Sequence, residues 1–181
     1  MTITPLALSG YSKNLYELDT EGKYASNKYK FEIRMPKGSD EVEAFRKSML
    51  KLHKEAGNNQ YPPIKDGDKI AKETDNEKRA AFAKGHWIMS FKSDYAPALV
   101  DSQKNPLGKN VIFGGDKIKV SFNAKPYDML GGGISNQLKA VMLIEKVGGK
   151  ATADEFETQF GFVASEAGGD DSVADEDDDD F

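Results

Sequence analysis

The chain has 181 residues, of which 38% are hydrophobic and 30% charged, and its formal net charge is -5. This length and composition suit one domain with appendages and leave enough apolar side chains for a single core. The absence of cysteine excludes disulfides and thiolate metal sites.

The clearest local pattern is a strand followed by a helix. Residues 28–35 alternate between apolar and mostly charged side chains, which predicts a half-buried strand that ends at Pro36. Ser39 then suits the N-cap of a helix over residues 40–56, and Gly57 suits its end. The helix is amphipathic, and its predicted apolar face is formed by Val42, Phe45, Met49, Leu52 and Ala56.

A long polar connection, residues 57–85, follows the predicted helix. Connections of this length are unusual in a small domain and are often functional or mobile. A short helix is expected within it, from Glu77 to Phe82.

The rest of the body is predicted to be β-rich. Residues 86–93 and 117–124 alternate as half-buried strands do, and a glycine-rich link at 131–133 leads to a last strand over 137–147. The pattern is mainly β, with about five short strands and one helix after the first long strand. It predicts a small Greek-key barrel.

Charge divides the chain into two parts. Twelve of the 30 acidic residues lie in residues 151–181, which hold no Lys or Arg, so residues 1–150 hold 18 acidic and 25 basic residues and a net charge of +7. This predicts a basic domain over 1–150 and a disordered acidic tail over 151–181, because like charge with little apolar surface cannot offset the entropy of ordering.

The predicted tail ends in a candidate partner-binding segment. A large aromatic ring beside a free carboxylate is suited to a basic pocket with an apolar floor on another protein. A solubilising extension is the alternative. The residues of this segment are Asp177, Asp178, Asp179, Asp180 and Phe181.

Basic and aromatic side chains on the predicted strands are candidate contacts to nucleic acid. Two basic rows on adjacent strands would attract phosphates, and exposed aromatic rings would stack on unpaired bases. Lysines also line the solvent face of many sheets, and Trp87 shares its predicted face with Met89, so a structural role stays open. The candidate side chains are Lys28, Lys30, Arg34, Trp87, Phe91, Tyr95, Lys117, Lys119, Lys125 and Tyr127.

Signals for catalysis and metal binding are weak. Residues 114–117 lack the spacing of a phosphate-binding loop, and residues 131–133 match no dinucleotide fingerprint. His53 and His86 have no metal-ligand spacing, so we expect no catalytic residue, metal or cofactor. The longest apolar run, 140–144, is too short to span a membrane, and no secretion signal is recognisable, so we expect a soluble cytoplasmic protein.

Residues 111–149 resemble the C-terminal barrel half of the single-stranded DNA-binding proteins of lytic tailed phages; they read VIFGGDKIKVSFNAKPYDMLGGGISNQLKAVMLIEKVGG. The strand KYKFEIRMP at residues 28–36, with the helix after it, looks like the first half of that family. The acidic end at Phe181 is similar to the family's tail, and bacterial counterparts carry a comparable acidic tip.

The resemblance implies a function as well as a fold. It implies an OB-fold that coats single-stranded DNA during phage replication and recombination, and a tail that contacts the replicative polymerase and helicase and restrains DNA binding. Lys117, Lys119, Lys125 and Tyr127 match the basic strand and the Pro-Tyr segment of that family. A second copy of the chain is a further candidate partner. The alternative functions are an acidic-tailed, chaperone-like adaptor that does not bind DNA and, less favoured, a nuclease.

Overall fold

The structure, a computed structural model, describes residues 1–147. Eight strands lie in this range: β1 (Thr2–Ile3), β2 (Ala7–Ser9), β3 (Tyr29–Pro36), β4 (Ile64–Asp66), β5 (His86–Ser93), β6 (Ala98–Asp101), β7 (Lys117–Tyr127) and β8 (Gly133–Glu145). The helices in the same range are α1 (Lys13–Tyr16), α2 (Asp40–Glu55), α3 (Gly67–Glu73) and α4 (Glu77–Ala83), with a 3-10 turn at Met129–Gly131. The predicted acidic tail, residues 151–181, lies outside the described residues.

Five of the strands close into a barrel. β2 pairs with β3 and with β7, β3 pairs with β5, β5 pairs with β8, and β8 returns to β7. Every pairing in this ring is antiparallel except the one between β5 and β8, which is parallel. In chain order the five barrel strands are β2, β3, β5, β7 and β8, so β3 is the second and β5 the third. Around the barrel the order is β2, β3, β5, β8 and β7, because the last two strands are interchanged. This is a Greek-key arrangement, so the predicted OB-fold is confirmed.

The core follows the predicted alternation. Phe31, Ile33 and Met35 of β3 are buried, and so is Phe122 of β7. The ring of Phe122 meets the ring of Phe91 edge to face, with centroids 5.2 Å apart. Alternation therefore fills the barrel with apolar side chains and leaves polar ones outside.

The amphipathic helix predicted over residues 40–56 is α2, but two details differ. Ser39 occupies the N-cap position without a capping hydrogen bond from its side chain. Leu52 is 38% exposed, whereas His53 is 2% exposed and occupies the buried face in its place. The ring Nε2 of His53 lies 3.0 Å from the carbonyl oxygen of Asn59, so this histidine has a structural role.

The polar connection over residues 57–85 is more ordered than the sequence indicated. β4 adds to the edge of β5, and α3 and α4 follow. Asp66 caps α3 and Asn76 caps α4, each accepting a backbone N–H two or three residues later. The two helices come close at Gly67, where a Cβ would lie 2.0 Å from the carbonyl oxygen of Ala83, so only glycine fits there.

Several element boundaries also differ from the predictions. β8 begins at Gly133 rather than at residue 137, and it ends at Glu145 rather than at residue 147. The six elements β1, β2, α1, β4, α3 and β6 had no prediction. All of them except the seven-residue helix α3 have at most four residues, which is too short to show a period of 2 or 3.6.

Candidate nucleic-acid interface

The outer surface of β3 and β5 is polar where the inner surface is apolar. The strand register places Lys30 opposite Lys92 and Glu32 opposite Ser90. All four side chains point away from the core, since their sequence neighbours Phe31 and Phe91 are buried. We call these four residues the β3–β5 face. In OB-folds, oligonucleotides bind to the face formed by the second and third strands.

The same surface continues onto β8 and β7. Lys92 is in register with Gln137 of β8, and Gln137 pairs in turn with Asn123 of β7. Two residues further along β7, Lys125 pairs with Ser135. The two predicted basic rows were expected on adjacent strands. That prediction is wrong, because β5 and β8 separate β3 from β7 on this side of the barrel and β2 separates them on the other.

Two shallow depressions lie on this surface and share Ser90 and Lys92. The first, of about 240 Å³, is lined by Tyr11, Asn14, Lys30, Phe31, Glu32, Ser90, Phe91 and Lys92. The second, of about 220 Å³, is lined by Tyr61, Pro62, Pro63, Lys65, Ile88, Ser90, Lys92, Tyr127, Ile134, Ser135 and Asn136. Because they share two residues, they form one continuous concave path across the outside of the barrel.

Exposed tyrosines stand along this path. Tyr11 is 77% exposed and Tyr61 is 51% exposed, at the two depressions. Tyr127 is half-buried, and its hydroxyl accepts a hydrogen bond of 2.8 Å from the side-chain amide of Asn59. An exposed aromatic ring fixed at one edge can stack on a base with little loss of entropy.

The lysines near the path differ in their availability to a ligand. Within residues 1–147, Lys65, Lys92 and Lys125 form no ion pair. Lys30, by contrast, forms an ion pair with Asp19, and its ammonium hydrogen bond lowers the pKa of that carboxyl group. The unpaired ammonium groups are free to neutralise phosphates without first breaking an internal contact.

Three side chains that were predicted to contact nucleic acid are buried or already engaged within the protein. Phe91 is 1% exposed, so its ring presents no face to a base. Arg34 lies under α4, where it donates to the carbonyl of Phe82 at 3.2 Å, and burial lowers its pKa. The indole N–H of Trp87 donates to Glu43 at 2.6 Å. Its ring is also occupied, because the cationic groups of Lys37 and Arg46 lie 4.4 and 4.1 Å from its centroid.

The other predicted residues divide between the path and its surroundings. Lys28 forms an ion pair of 3.0 Å with Asp94, next to Tyr95, which is 77% exposed.

The lysines of β7 differ in their distance from the path. Lys117 forms an ion pair of 2.7 Å with Glu145. Lys117, Lys119 and Lys125 line neither depression, but Lys125 pairs with Ser135, which lines the second one. Lys117 lies eight residues before Lys125 in β7, about 26 Å along a strand. The structure thus brings Lys30, Lys125 and Tyr127 to one surface and leaves Lys117 and Lys119 away from it.

Some residues of the path were missed by the sequence predictions. Lys92 could have been found, because the predicted inward face of residues 86–93 places Ser90 and Lys92 outward. Tyr61 and Lys65 gave no such signal, because β4 has only three residues and its pairing with β5 depends on tertiary contacts.

Within residues 1–147, no group of three or more His, Asp or Glu side chains is arranged to hold a metal ion. No helix in that range is long and apolar enough to cross a membrane.

Comparison with protein families gives a match over most of the chain. Residues 11–172 match the family model described as the single-stranded DNA-binding protein of Enterobacter phage Enc34. A search of curated proteins gives no significant match.

Solved structures share the fold. A C-terminal truncation of the single-stranded DNA-binding protein from bacteriophage Enc34 is 19% identical, with a TM-score of 0.61, and the alignment covers 80% of this chain and 85% of that one. The phage Enc34 protein in complex with single-stranded DNA is 21% identical, with a TM-score of 0.56 and coverage of 80% and 86%. The single-stranded DNA-binding protein gp2.5 of bacteriophage T7 is 18% identical, with a TM-score of 0.58 and coverage of 81% and 92%.

Proposed function

The chain belongs to the single-stranded DNA-binding protein family of Enterobacter phage Enc34, and we propose that it binds single-stranded DNA without sequence preference along the path across β3, β5, β8 and β7. The observation that supports this proposal most is the concave path over the second and third strands of a closed barrel, along which neighbouring elements add unpaired lysines and exposed tyrosines. A relative with the same fold is described in complex with single-stranded DNA.

The chemistry of the path suits a flexible, unpaired strand. Lys65, Lys92 and Lys125 provide positive charge for phosphates, while Tyr61 and Tyr127 provide rings for bases. Stacking is worth roughly 1–3 kcal/mol per base and does not depend on base identity, because every base has a π-face. We propose that binding is non-enzymatic and that affinity comes from these two contributions alone.

We further propose that residues 151–181 form an acidic tail on a binding domain of residues 1–150. The 12 acidic residues of this segment oppose the net charge of +7 on residues 1–150, so the tail competes with phosphates for the same lysines. We propose that Phe181 and the acidic residues before it bind replication proteins such as the polymerase and helicase, and that the chain acts in phage DNA replication and recombination.

A band-shift experiment tests the DNA-binding proposal. The full chain should shift an oligo-dT strand and bind a duplex of the same length more weakly, with affinity that falls as salt rises. An unshifted strand would contradict the proposal and favour the adaptor that binds only proteins. Incubation of the same strand with Mg²⁺ should leave it intact, whereas cleavage would indicate a nuclease.

A second experiment tests the role of the tail. Deletion of residues 151–181 should tighten binding to oligo-dT. It should also abolish binding of the chain to the replicative polymerase and helicase in a pull-down experiment. A matched variant with the acidic residues kept and Phe181→Ala should retain the competition with DNA but lose partner capture. If deletion changes neither property, the proposed tail function is wrong.

A further inference from the structure

A carboxylate lies in the middle of the β3–β5 face. Glu32 lines the same depression as Lys30 and Lys92 and is next to Ser90 on the neighbouring strand. An ionised carboxylate at this position would repel DNA phosphates and weaken the attraction of the two lysines.

Arg79 of α4 covers this carboxylate. Its guanidinium donates to both oxygens of Glu32, and the Nη2–Oε2 distance is 3.1 Å. The hydroxyl of Ser90 donates to the same Oε2, also at 3.1 Å. A two-pronged contact between guanidinium and carboxylate is the strongest geometry for this pair, and the hydrogen bond to Glu32 raises the pKa of Arg79.

The contact is shielded from solvent and is held in place from several sides. The side chains of Arg79 and Glu32 are 35% and 27% exposed, so salt screens their attraction less than that of a fully exposed pair. The helix that carries Arg79 is fixed separately, because Arg34 of β3 donates to the carbonyl of Phe82 and lies 4.9 Å from its ring. Arg79 is therefore positioned over the face before any ligand arrives.

We infer that Arg79 is a positioning residue for DNA binding, which neutralises Glu32 and thereby keeps the β3–β5 face attractive to phosphates. The inference rests on the proposed function. It also gives α4 a role beyond stability, since Arg79 of this helix balances the charge of Glu32 on the β3–β5 face.

A double-mutant cycle at Arg79 and Glu32 in the full chain tests this inference. Arg79→Gln leaves Glu32 ionised and should weaken binding to oligo-dT roughly three- to tenfold at low salt. Glu32→Gln leaves Arg79 as an added positive charge and should tighten binding by about the same factor. The double variant restores a neutral pair and should return to within about twofold of the wild type. The matched controls are Lys51→Gln and Glu55→Gln, an exposed pair on α2, which should each change affinity less than about twofold.

The outcomes separate an electrostatic role from a purely structural one. If Arg79→Gln binds like the wild type, or if the double variant binds as weakly as Arg79→Gln alone, the pair only attaches α4 to the barrel and the inference is overturned. If Arg79→Gln loses its fold by circular dichroism, Glu32→Gln decides, and unchanged or weaker binding overturns the inference. A wild-type chain that does not bind oligo-dT refutes the proposed function itself, which is a distinguishable result.

Discussion

Removal of the two unpaired lysines next to Ile88 and Ser90 should change how DNA binding depends on salt. Lys65 and Lys92 line the same depression and form no ion pair within residues 1–147. The variant Lys65→Ala/Lys92→Ala therefore removes two proposed phosphate contacts while leaving no internal partner unsatisfied. Both side chains are exposed, so the fold should be retained.

The magnitude follows from counterion release. Each phosphate neutralised on a single strand contributes about -0.7 to the slope of log K against log salt, so two lost contacts make the slope shallower by about 1.4. If counterion release is the whole contribution, the variant binds about 65-fold more weakly than the wild type at 50 mM salt and about tenfold more weakly at 200 mM. The ratio of wild-type affinity to variant affinity thus falls about sevenfold between 50 and 200 mM salt.

Fluorescence anisotropy with a labelled oligo-dT strand, titrated at four or more salt concentrations, measures both slopes. The control is Lys47→Ala/Lys51→Ala, which removes the same net charge from exposed positions on α2. The control should keep the wild-type slope. If both double variants change the slope equally, only net charge matters, and the assignment of phosphate contacts to the path is refuted.

Three further predictions concern residues outside the path. Trp87→Phe should leave oligo-dT affinity within about twofold, because the ring is already occupied, and should lower the free energy of unfolding in urea by about 1 kcal/mol through loss of one hydrogen bond; a large loss of affinity would restore the stacking hypothesis. Phe122→Ala should lower the free energy of unfolding by about 3–5 kcal/mol, since the ring is fully buried, and a loss below 1 kcal/mol would contradict the described core. Lys37 lowers the pKa of Asp66 and of Asp68 by hydrogen bonding. The stability that this contact gives to the fold is therefore fully present above the ordinary Asp pKa of about 4, and it is lost as the pH falls through the lower pKa values of the folded chain. Lys37→Met should therefore flatten the fall of stability measured by thermal melting between about pH 5 and pH 3, and an unchanged acid profile would contradict the assigned cause.

The barrel strands could be predicted where they are long. Residues 28–35 and 117–124 show clear alternation, and the structure places their apolar side chains inside as expected. Short elements such as β2 carry no measurable period, although β2 is needed to close the barrel. Closure depends on contacts between residues that are distant in sequence, so local patterns could not show which strands are adjacent.

The sequence pattern predicted the side of a strand on which a residue lies better than it predicted the surroundings of its side chain. Alternation correctly placed Lys30 and Lys125 on the outside, but it could not show that Arg34 lies beneath α4 or that Trp87 has cations over its ring. These contacts come from α2, from α4 and from Lys37 just after β3, which meet Arg34 and Trp87 only in the folded chain. A pattern that gives the side of a strand does not give what else packs on that side.

Photocrosslinking from an oligonucleotide that carries 5-bromouracil tests the central claim most directly. After irradiation of the full chain, digestion and mass spectrometry, the cross-links should fall on Tyr61, Tyr127 and Tyr11 along the path across β3, β5, β8 and β7. These cross-links should disappear when an excess of oligo-dT without bromouracil is added. Cross-links concentrated on α2, or around Lys117 at the far end of β7, would contradict the account and place the DNA on another surface of the barrel.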